Sequence, residues 1–282
     1  MQANKVVSWS VFLAVIALCE LLYGAQAQNA FNEGVKHHRA GRLKEAIAAY
    51  DRAIKADPTA APAYLARGTA YAKLGETYQA SKDYDEALRL NPDLTDAYYY
   101  RGNAYAAAKQ YQTAIKDYDE AIKRNPKFTE AYNSRGSAYA KLDQFEKAVA
   151  DFNQGIKLNP KDPDAYEARG LAHRRLGQHE LAVQDYTESI KLKAKNAEAY
   201  NNRGNSHSLL GKYDLALKDY DEALKLDGKN ARIYANRGMV KLRQGNRDDA
   251  QQDFKKAAEL DPSLKENLDA LMASAPLAPV KR

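Results

Sequence analysis

The sequence predicts an all-α protein built from stacked helix pairs, and three observations lead to this prediction. A pattern of aromatic, Gly, Ala and Pro residues returns every 34 residues over most of the chain. Within one copy, Tyr98, Gly102 and Tyr105 recur at i, i+4 and i+7, which is one stripe of an α-helix. Residues that end helices, such as Gly75 and Pro126, separate the helical segments.

The pattern occurs in seven consecutive copies without an insertion, and the first copy is degenerate. Each copy contains two short helical stripes, and neither stripe can be buried within a single pair. Stacking of neighbouring pairs therefore has to form one continuous core. The predicted repeats span residues 27–60, 61–94, 95–128, 129–162, 163–196, 197–230 and 231–264.

Small residues in each copy predict a close approach of the paired helices. We expect Gly102 in the first helix and Ala114 in the second to let the two backbones approach closely, with Tyr98, Tyr105 and Tyr118 filling the space around that contact. A large side chain at such a glycine would overpack this contact.

The residues Gly102, Ala114, Tyr118 and Pro126 and their counterparts in the other copies resemble the tetratricopeptide repeat family. The resemblance covers about five-sixths of the chain, residues 28–264. It implies a right-handed superhelical solenoid of seven antiparallel helix pairs. It also implies that the first helices of the pairs line a concave groove, in which members of the family bind extended peptides or helices of partner proteins.

The phase of the repeat places a set of aromatic, amide and basic side chains on the groove positions. Amides can pair with both donors and acceptors of a peptide backbone, and exposed aromatic residues are frequent anchors of interfaces. The alternative is that the amides only fill a helix surface. The candidate groove residues are Tyr99, Tyr100, Asn103, Asn133, Ser137, Arg174, Asn201, Asn202, Asn205, Asn236 and Arg243.

Six copies carry Arg immediately before the repeat Gly, where the family usually has an apolar residue, and Asp sixteen residues later. The turn lies midway between the two positions, so an antiparallel pair would bring them together. We therefore predict a ladder of Arg–Asp ion pairs, although simple solvation of both residues is the alternative. Its members are Arg67, Arg101, Arg135, Arg169, Arg203, Arg237, Asp83, Asp117, Asp151, Asp185, Asp219 and Asp253.

The N-terminal segment, residues 1–27, has the pattern of a secretory signal peptide. Lys5 precedes an apolar run from Val6 to Cys19, and Ala25-Gln26-Ala27 is a small-residue cleavage site. The run of 14 residues is short for a membrane span of about 20. The prediction is export to the periplasm of a bacterium, and the alternative is an inner-membrane anchor through residues 6–23.

Composition argues against several function classes. The 43 basic and 37 acidic residues are interspersed, so the net charge of +6 forms no basic tract for nucleic acid. Cys19 is the only cysteine, and it lies in the segment predicted to be removed. No nucleophile elbow, phosphate loop or metal-ligand spacing occurs, so we predict neither catalysis nor a metal or cofactor.

After the last repeat, Leu264, Leu268, Leu271 and Met272 lie on one helical stripe. Repeat arrays need a terminal helix to cover their last apolar face, so residues 265–275 are predicted to form a capping helix and residues 276–282 a flexible tail. The predicted function is a non-catalytic scaffold that binds a protein or peptide partner. The alternatives are a membrane-tethered adaptor and a substrate-recognition subunit for an enzyme carried on another chain.

Overall fold

The computed structural model describes residues 9–274, which form fifteen α-helices and one 3-10 turn and contain no strand. This confirms the predicted all-α class. The helices are α1 Trp9–Arg39, α2 Leu43–Ala56, α3 Ala61–Lys73, α4 Thr77–Leu90, α5 Thr95–Ala107, α6 Tyr111–Arg124, α7 Thr129–Lys141, α8 Phe145–Leu158, α9 Pro163–Arg175, α10 His179–Leu192, α11 Ala197–Leu209, α12 Tyr213–Leu226, α13 Ala231–Arg243, α14 Arg247–Leu260 and α15 Lys265–Ser274. The predicted flexible tail, residues 276–282, lies outside the described residues.

The chain divides into two compact units, Met1–Ala138 and Tyr139–Arg282. In the first unit, α1 packs on α2, α3 on α4 and α5 on α6, and α2 and α4 also pack on the helix that follows each of them. In the second unit the pairs are α9 with α10, α11 with α12 and α13 with α14, again with contacts between successive pairs. Consecutive helix pairs are therefore the building blocks of both units.

The repeat glycines make room for an aromatic ring of the second helix. A Cβ atom on Gly102 would lie 2.7 Å from Cε1 of Tyr118, and one on Gly68 would lie 2.7 Å from Cε1 of Tyr84. At the equivalent Gly238, a Cβ atom would also lie 3.2 Å from the backbone oxygen of Ala250, the counterpart of Ala114. The ring of the second helix lies against the backbone of the first, because only glycine leaves space for it.

The turn between the paired helices needs a left-handed residue, and two repeats use a residue other than glycine. Gly75, Gly177 and Gly245 have φ values of 80°, 75° and 82° at this position. The corresponding residues in the third and fourth repeats are Lys109 and Asp143, with φ values of 61° and 56°. This conformation costs an L-residue roughly 1–2 kcal/mol, so these two turns are strained.

Five of the six predicted Arg–Asp pairs are two-point ion pairs between a first and a second helix of the same repeat. In the pair of Arg67 and Asp83, Nε and Nη2 donate to the two carboxylate oxygens at 2.9 and 2.7 Å. The other four are Arg101–Asp117, Arg169–Asp185, Arg203–Asp219 and Arg237–Asp253. The members of the remaining predicted pair, Arg135 and Asp151, lie in different units.

Each arginine of this ladder also contacts the preceding repeat. Nη1 of Arg67 donates to Asp51 at 2.6 Å, and Nη1 of Arg101 donates to Asp85 at 2.7 Å. The acceptors of the other arginines are Asp119 for Arg135, Asn153 for Arg169, Thr187 for Arg203 and Asp221 for Arg237. The guanidinium therefore links two successive second helices, which the sixteen-residue spacing within one repeat did not predict.

In the second unit, two of the ladder carboxylates have an additional nitrogen within hydrogen-bond distance. Nδ1 of His207 lies 2.9 Å from Asp219, and Nζ of Lys241 lies 2.8 Å from Asp253. His207 occupies the helical slot that Tyr71 and Tyr105 fill in the first unit. It is buried and lies within hydrogen-bond distance of the ladder.

The two ends of the chain differ from the repeats between them. Helix α1 continues without a break through Ala27, and Ala30 packs against Ala53 and Ala63. Among the described residues, no helix combines the length and the hydropathy needed to cross a bilayer. Whether the N-terminal segment is removed stays a prediction.

At the other end, α15 covers the last pair. Leu268 is buried in a cluster with Ala250, Phe254 and Ala257, and Leu264 and Met272 pack against this cluster. Leu271 is 40% exposed, contrary to the predicted stripe. A 3-10 turn, Pro262–Leu264, precedes α15.

Candidate partner-binding surface

The candidate groove residues lie on the first helices of the repeats, and we call this surface of each unit the first-helix face. In the first unit it carries Tyr99, Tyr100 and Asn103 on α5, and Asn133 and Ser137 on α7. In the second unit it carries Arg174 on α9, Asn201, Asn202 and Asn205 on α11, and Asn236 and Arg243 on α13.

The two adjacent tyrosines predicted as exposed recognition groups differ in their environment. Tyr99 is half-buried, with its ring centroid 4.8 Å from that of Phe128 and 6.2 Å from that of Tyr118. Tyr100 is 38% exposed and stacks on Tyr84 with ring centroids 6.2 Å apart and an angle of 22° between the planes. Tyr99 is therefore largely a packing residue, and Tyr100 is the ring that a partner can reach.

Two of the predicted amide groups are used to satisfy buried tyrosines. The hydroxyl of Tyr118 donates to Oδ1 of Asn103 at 2.8 Å, and the hydroxyl of Tyr220 donates to Oδ1 of Asn205 at 2.8 Å. A buried hydroxyl without a partner costs roughly 1–3 kcal/mol, so these amides have a structural role. Their amide nitrogens remain as donors.

Other groove candidates contact one another or the helix backbone. Nδ2 of Asn236 donates to Oδ1 of Asn201 at 3.0 Å, which joins two successive first helices. The hydroxyl of Ser137 donates to the carbonyl of Asn133 at 2.9 Å. Asn202 is half-buried, and its carbonyl accepts a hydrogen bond from Ser206 at 3.1 Å.

The two basic candidates of the second unit lie beside polar side chains. Nη1 of Arg243 donates to the Ser208 hydroxyl at 3.3 Å. Burial raises the pKa of Tyr186 to about 12, and the nearby Arg174 guanidinium opposes that rise. Arg174 thus lies over a buried phenol rather than in open solvent.

A pocket of about 440 Å³ lies on the first-helix face of the first unit. Its size is in the range of small ligand sites. Tyr100 and Asn103 are among the candidate groove residues predicted from the sequence, and the other lining residues are not. The full lining is His38, Thr69, Ala72, Lys73, Thr77, Tyr84, Tyr100, Asn103, Ala104 and Ala107.

The missed polar residues of this pocket carry one signal that could have been found in the sequence. Thr69 occupies the slot that Asn103 and Asn205 fill in their own repeats, fifteen residues before the aromatic residue of the second helix. The repeat that contains Tyr84 therefore lacks the amide that accepts the hydroxyl elsewhere. Reading the repeats against one another at this slot points to Tyr84 and also to Tyr186, whose slot holds Leu171.

The second unit has a smaller and more polar pocket of about 370 Å³. It brings Asn201 together with Glu198, Asp227 and Arg232 at the start of two successive first helices. No group of three or more metal-ligating side chains occurs among the described residues. The side chains of this surface are suited to hydrogen bonding and to contact with aromatic or apolar groups.

Comparison with known protein families gives matches along the chain from residue 34 to residue 264. Models described as tetratricopeptide repeat match residues 95–128, 129–162 and 197–230, residues 231–264 and residues 152–184. A model described as TPR repeat matches residues 34–75, 68–108 and 171–211. Four of these ranges have the same bounds as the repeats predicted from the sequence. Among curated protein sequences, none is similar enough to this chain to count as a match.

Several solved structures are similar to the fold. The crystal structure of the MamA protein is 27% identical, with a TM-score of 0.56, over 62% of this chain and 96% of that chain. A tetratricopeptide repeat protein from Parabacteroides merdae is 21% identical, with a TM-score of 0.64, over 89% of this chain and 100% of that chain. YrrB, described as a TPR protein with an unusual peptide-binding site, is 22% identical, with a TM-score of 0.57, over 64% of this chain and 92% of that chain.

Proposed function

This chain belongs to the tetratricopeptide repeat family, and from that premise we propose that it is a non-catalytic scaffold that binds a peptide segment of a partner protein on its first-helix face. The observation that carries the proposal is the pocket of the first unit. There an exposed aromatic ring, Tyr100, borders a cavity of about 440 Å³ with hydrogen-bonding groups in its wall. Clefts with aromatic walls and a few polar groups are the usual shape of binding sites.

The peptide-binding description of YrrB supports the proposal by analogy of fold. At 22% identity it does not transfer a ligand to this chain. The choice of a peptide rather than a small molecule rests on the repeats, because successive first helices of one unit contact each other and an extended segment can reach several of them at once.

Photocrosslinking from two tyrosine positions tests which face binds the partner. A benzoylphenylalanine residue replaces either Tyr100, on a first helix, or Tyr78, on the second helix α4. Tyr78 is 67% exposed, so it is a control with more solvent access than Tyr100. We expect a discrete adduct from position 100 in cells that carry the native partner. Adducts from position 78 alone would move the binding surface to the second helices.

We propose further that the mature protein begins near Gln28 and acts in the periplasm. The support is the basic start, the short apolar run and the Ala25-Gln26-Ala27 site. A cut after Ala27 would keep Ala30 and its contacts with Ala53 and Ala63. Intact-mass measurement of the native protein tests whether residues 1–27 are removed. A full-length mass in the membrane fraction would instead support a tethered adaptor.

A further inference from the structure

The pocket on the first-helix face of the first unit has an apolar floor with a single buried hydroxyl. The rings of Tyr84 and Tyr100 stack in its wall, and Ala104 and Ala107 complete the apolar surface. Tyr84 itself has no exposed surface. Its hydroxyl oxygen has no hydrogen-bond partner among the described residues.

The unsatisfied hydroxyl of Tyr84 contrasts with its counterparts. In two other repeats the equivalent hydroxyl, of Tyr118 or Tyr220, donates to an asparagine at 2.8 Å. In the repeat of Tyr84 the asparagine is replaced by Thr69, which donates its own hydroxyl to the carbonyl of Ala66 at 2.7 Å. Burial raises the pKa of Tyr84, so its hydroxyl stays protonated and is a donor at all ordinary pH values.

The charged groups of the pocket are basic. Lys73 and His38 both line it, whereas no Asp or Glu is among its lining residues. Neither cation has a carboxylate partner in the part of the chain that the structure describes. The pKa of His38 is lowered by burial and by the charge of Lys73, which places the two side chains close together. The nearby acids, Asp96 and Glu130, act on Tyr100.

Three hydrogen-bond donors of the pocket have no acceptor among the described residues. They are the Tyr84 hydroxyl, the amide nitrogen of Asn103, whose oxygen accepts from Tyr118, and the ammonium group of Lys73. Such a set fits an acceptor with a negative charge, and hydrogen bonds to a charged group are the stronger kind. The apolar remainder of the wall fits a short hydrocarbon stem.

We infer that this pocket binds the side-chain carboxylate of an aspartate or glutamate residue in the partner peptide, with Tyr84 and Asn103 donating to the carboxylate and Lys73 pairing with its charge. The inference rests on the proposed function and specifies the partner: a peptide with one acidic side chain at a defined position. Its carboxylate lies at the Lys73 end of the pocket, away from Asp96 and Glu130, because like charges repel.

The test is a selection of random peptides displayed as amino-terminal fusions to a phage coat protein, with the purified protein as bait. These peptides have no free carboxyl terminus, so an acidic preference reports side chains only. The baits are the wild type, Tyr84→Phe and Lys73→Gln. Phe occupies the equivalent slot at Phe152 and Phe254, so the fold accommodates this substitution. Tyr186→Phe, which removes another buried hydroxyl without a partner, and Lys141→Gln are the matched controls.

The expected result is an Asp or Glu at one fixed position in peptides selected by the wild type and by both controls, and loss of that preference with Tyr84→Phe and with Lys73→Gln. A synthetic copy of a selected peptide with Gln at that position should bind at least about tenfold more weakly. Selected peptides without a fixed acidic position, or with one that both pocket variants retain, would overturn the inference and leave the proposed peptide binding standing. A failure to select any peptide would overturn both.

Discussion

Arg101 donates to both carboxylate oxygens of Asp117, from Nε at 2.8 Å and from Nη2 at 2.7 Å, and its third nitrogen donates to Asp85 at 2.7 Å. The two acceptors differ in environment, because the Asp117 side chain is 8% exposed and the Asp85 side chain is 53% exposed. One guanidinium therefore joins a buried partner in its own repeat to an exposed partner in the preceding one.

Asp117→Asn should destabilise the protein by about 3 kcal/mol, because it leaves the largely buried Arg101 without its main counter-charge. Asp85→Asn removes the exposed partner and should cost less than about 1 kcal/mol. Urea unfolding followed by circular dichroism measures both. An equal loss of unfolding free energy in the two variants would contradict the prediction that the buried contact stabilises the protein more than the exposed one.

Gly102→Leu should cost at least about 1–3 kcal/mol through overpacking, because even its Cβ would lie 2.7 Å from the Tyr118 ring. Ala107→Leu adds the same kind of side chain at the exposed end of α5 and is the control. The melting temperatures of the two variants make the comparison. If Gly102→Leu melted with the wild type, the packing of the ring on the glycine backbone would be wrong.

Lys109→Gly should stabilise the first unit by about 1 kcal/mol, since glycine relieves the left-handed strain at a φ of 61°. The reverse change at the corresponding turn, Gly75→Lys, should destabilise by a similar amount. No atom lies within 4 Å of a Cβ placed on Gly75, so the effect would come from the backbone alone. Chemical denaturation of both variants checks the prediction, and a destabilising Lys109→Gly would contradict it.

The stability of the second unit should fall as the pH rises from acid to neutral, because the half-buried carboxyl of Glu167 loses its proton. Burial raises its pKa, with smaller contributions from Glu198 and Asp164, although Asn196 donates a hydrogen bond to its carboxylate. A carboxyl whose folded-state pKa is raised favours folding while protonated, below its unfolded-state pKa, and loses that contribution as the pH rises through the folded-state pKa.

Glu167→Gln should therefore raise the melting temperature at pH 7 and change it little at pH 4, where the wild-type carboxyl is already largely protonated. Glu188→Gln, at a half-exposed carboxyl of the same unit, is the control. Melting curves at the two pH values give the comparison. An equal rise in melting temperature at pH 4 and at pH 7 would show that the charge of Glu167 does not cause the destabilisation.

The helix pairs and the Arg–Asp contacts within each repeat could be predicted from the sequence, because both depend only on residues of a single repeat. Arg101 and Asp117 lie equally far from one turn, so an antiparallel pair must bring them together. The contact from Arg101 to Asp85 could not be predicted in the same way, because it depends on how one pair stacks on the next. Which of the three tyrosines lies over Gly102 could not be predicted either, since helix spacing alone does not distinguish Tyr118 from Tyr98 and Tyr105.

The amino-acid sequence by itself determined the repeat, the helix that each segment forms and the helical face of the repeat residues, because these follow from a period of 34 residues and from helical geometry. The tertiary structure decided which polar groups on that face already have hydrogen-bond partners. Asn103 and Asn205 satisfy buried tyrosines, Asn201 binds Asn236, and Tyr84 is left without a partner. Hydrogen-bond satisfaction is a property of side chains brought together from different helices, so only their packing could assign it.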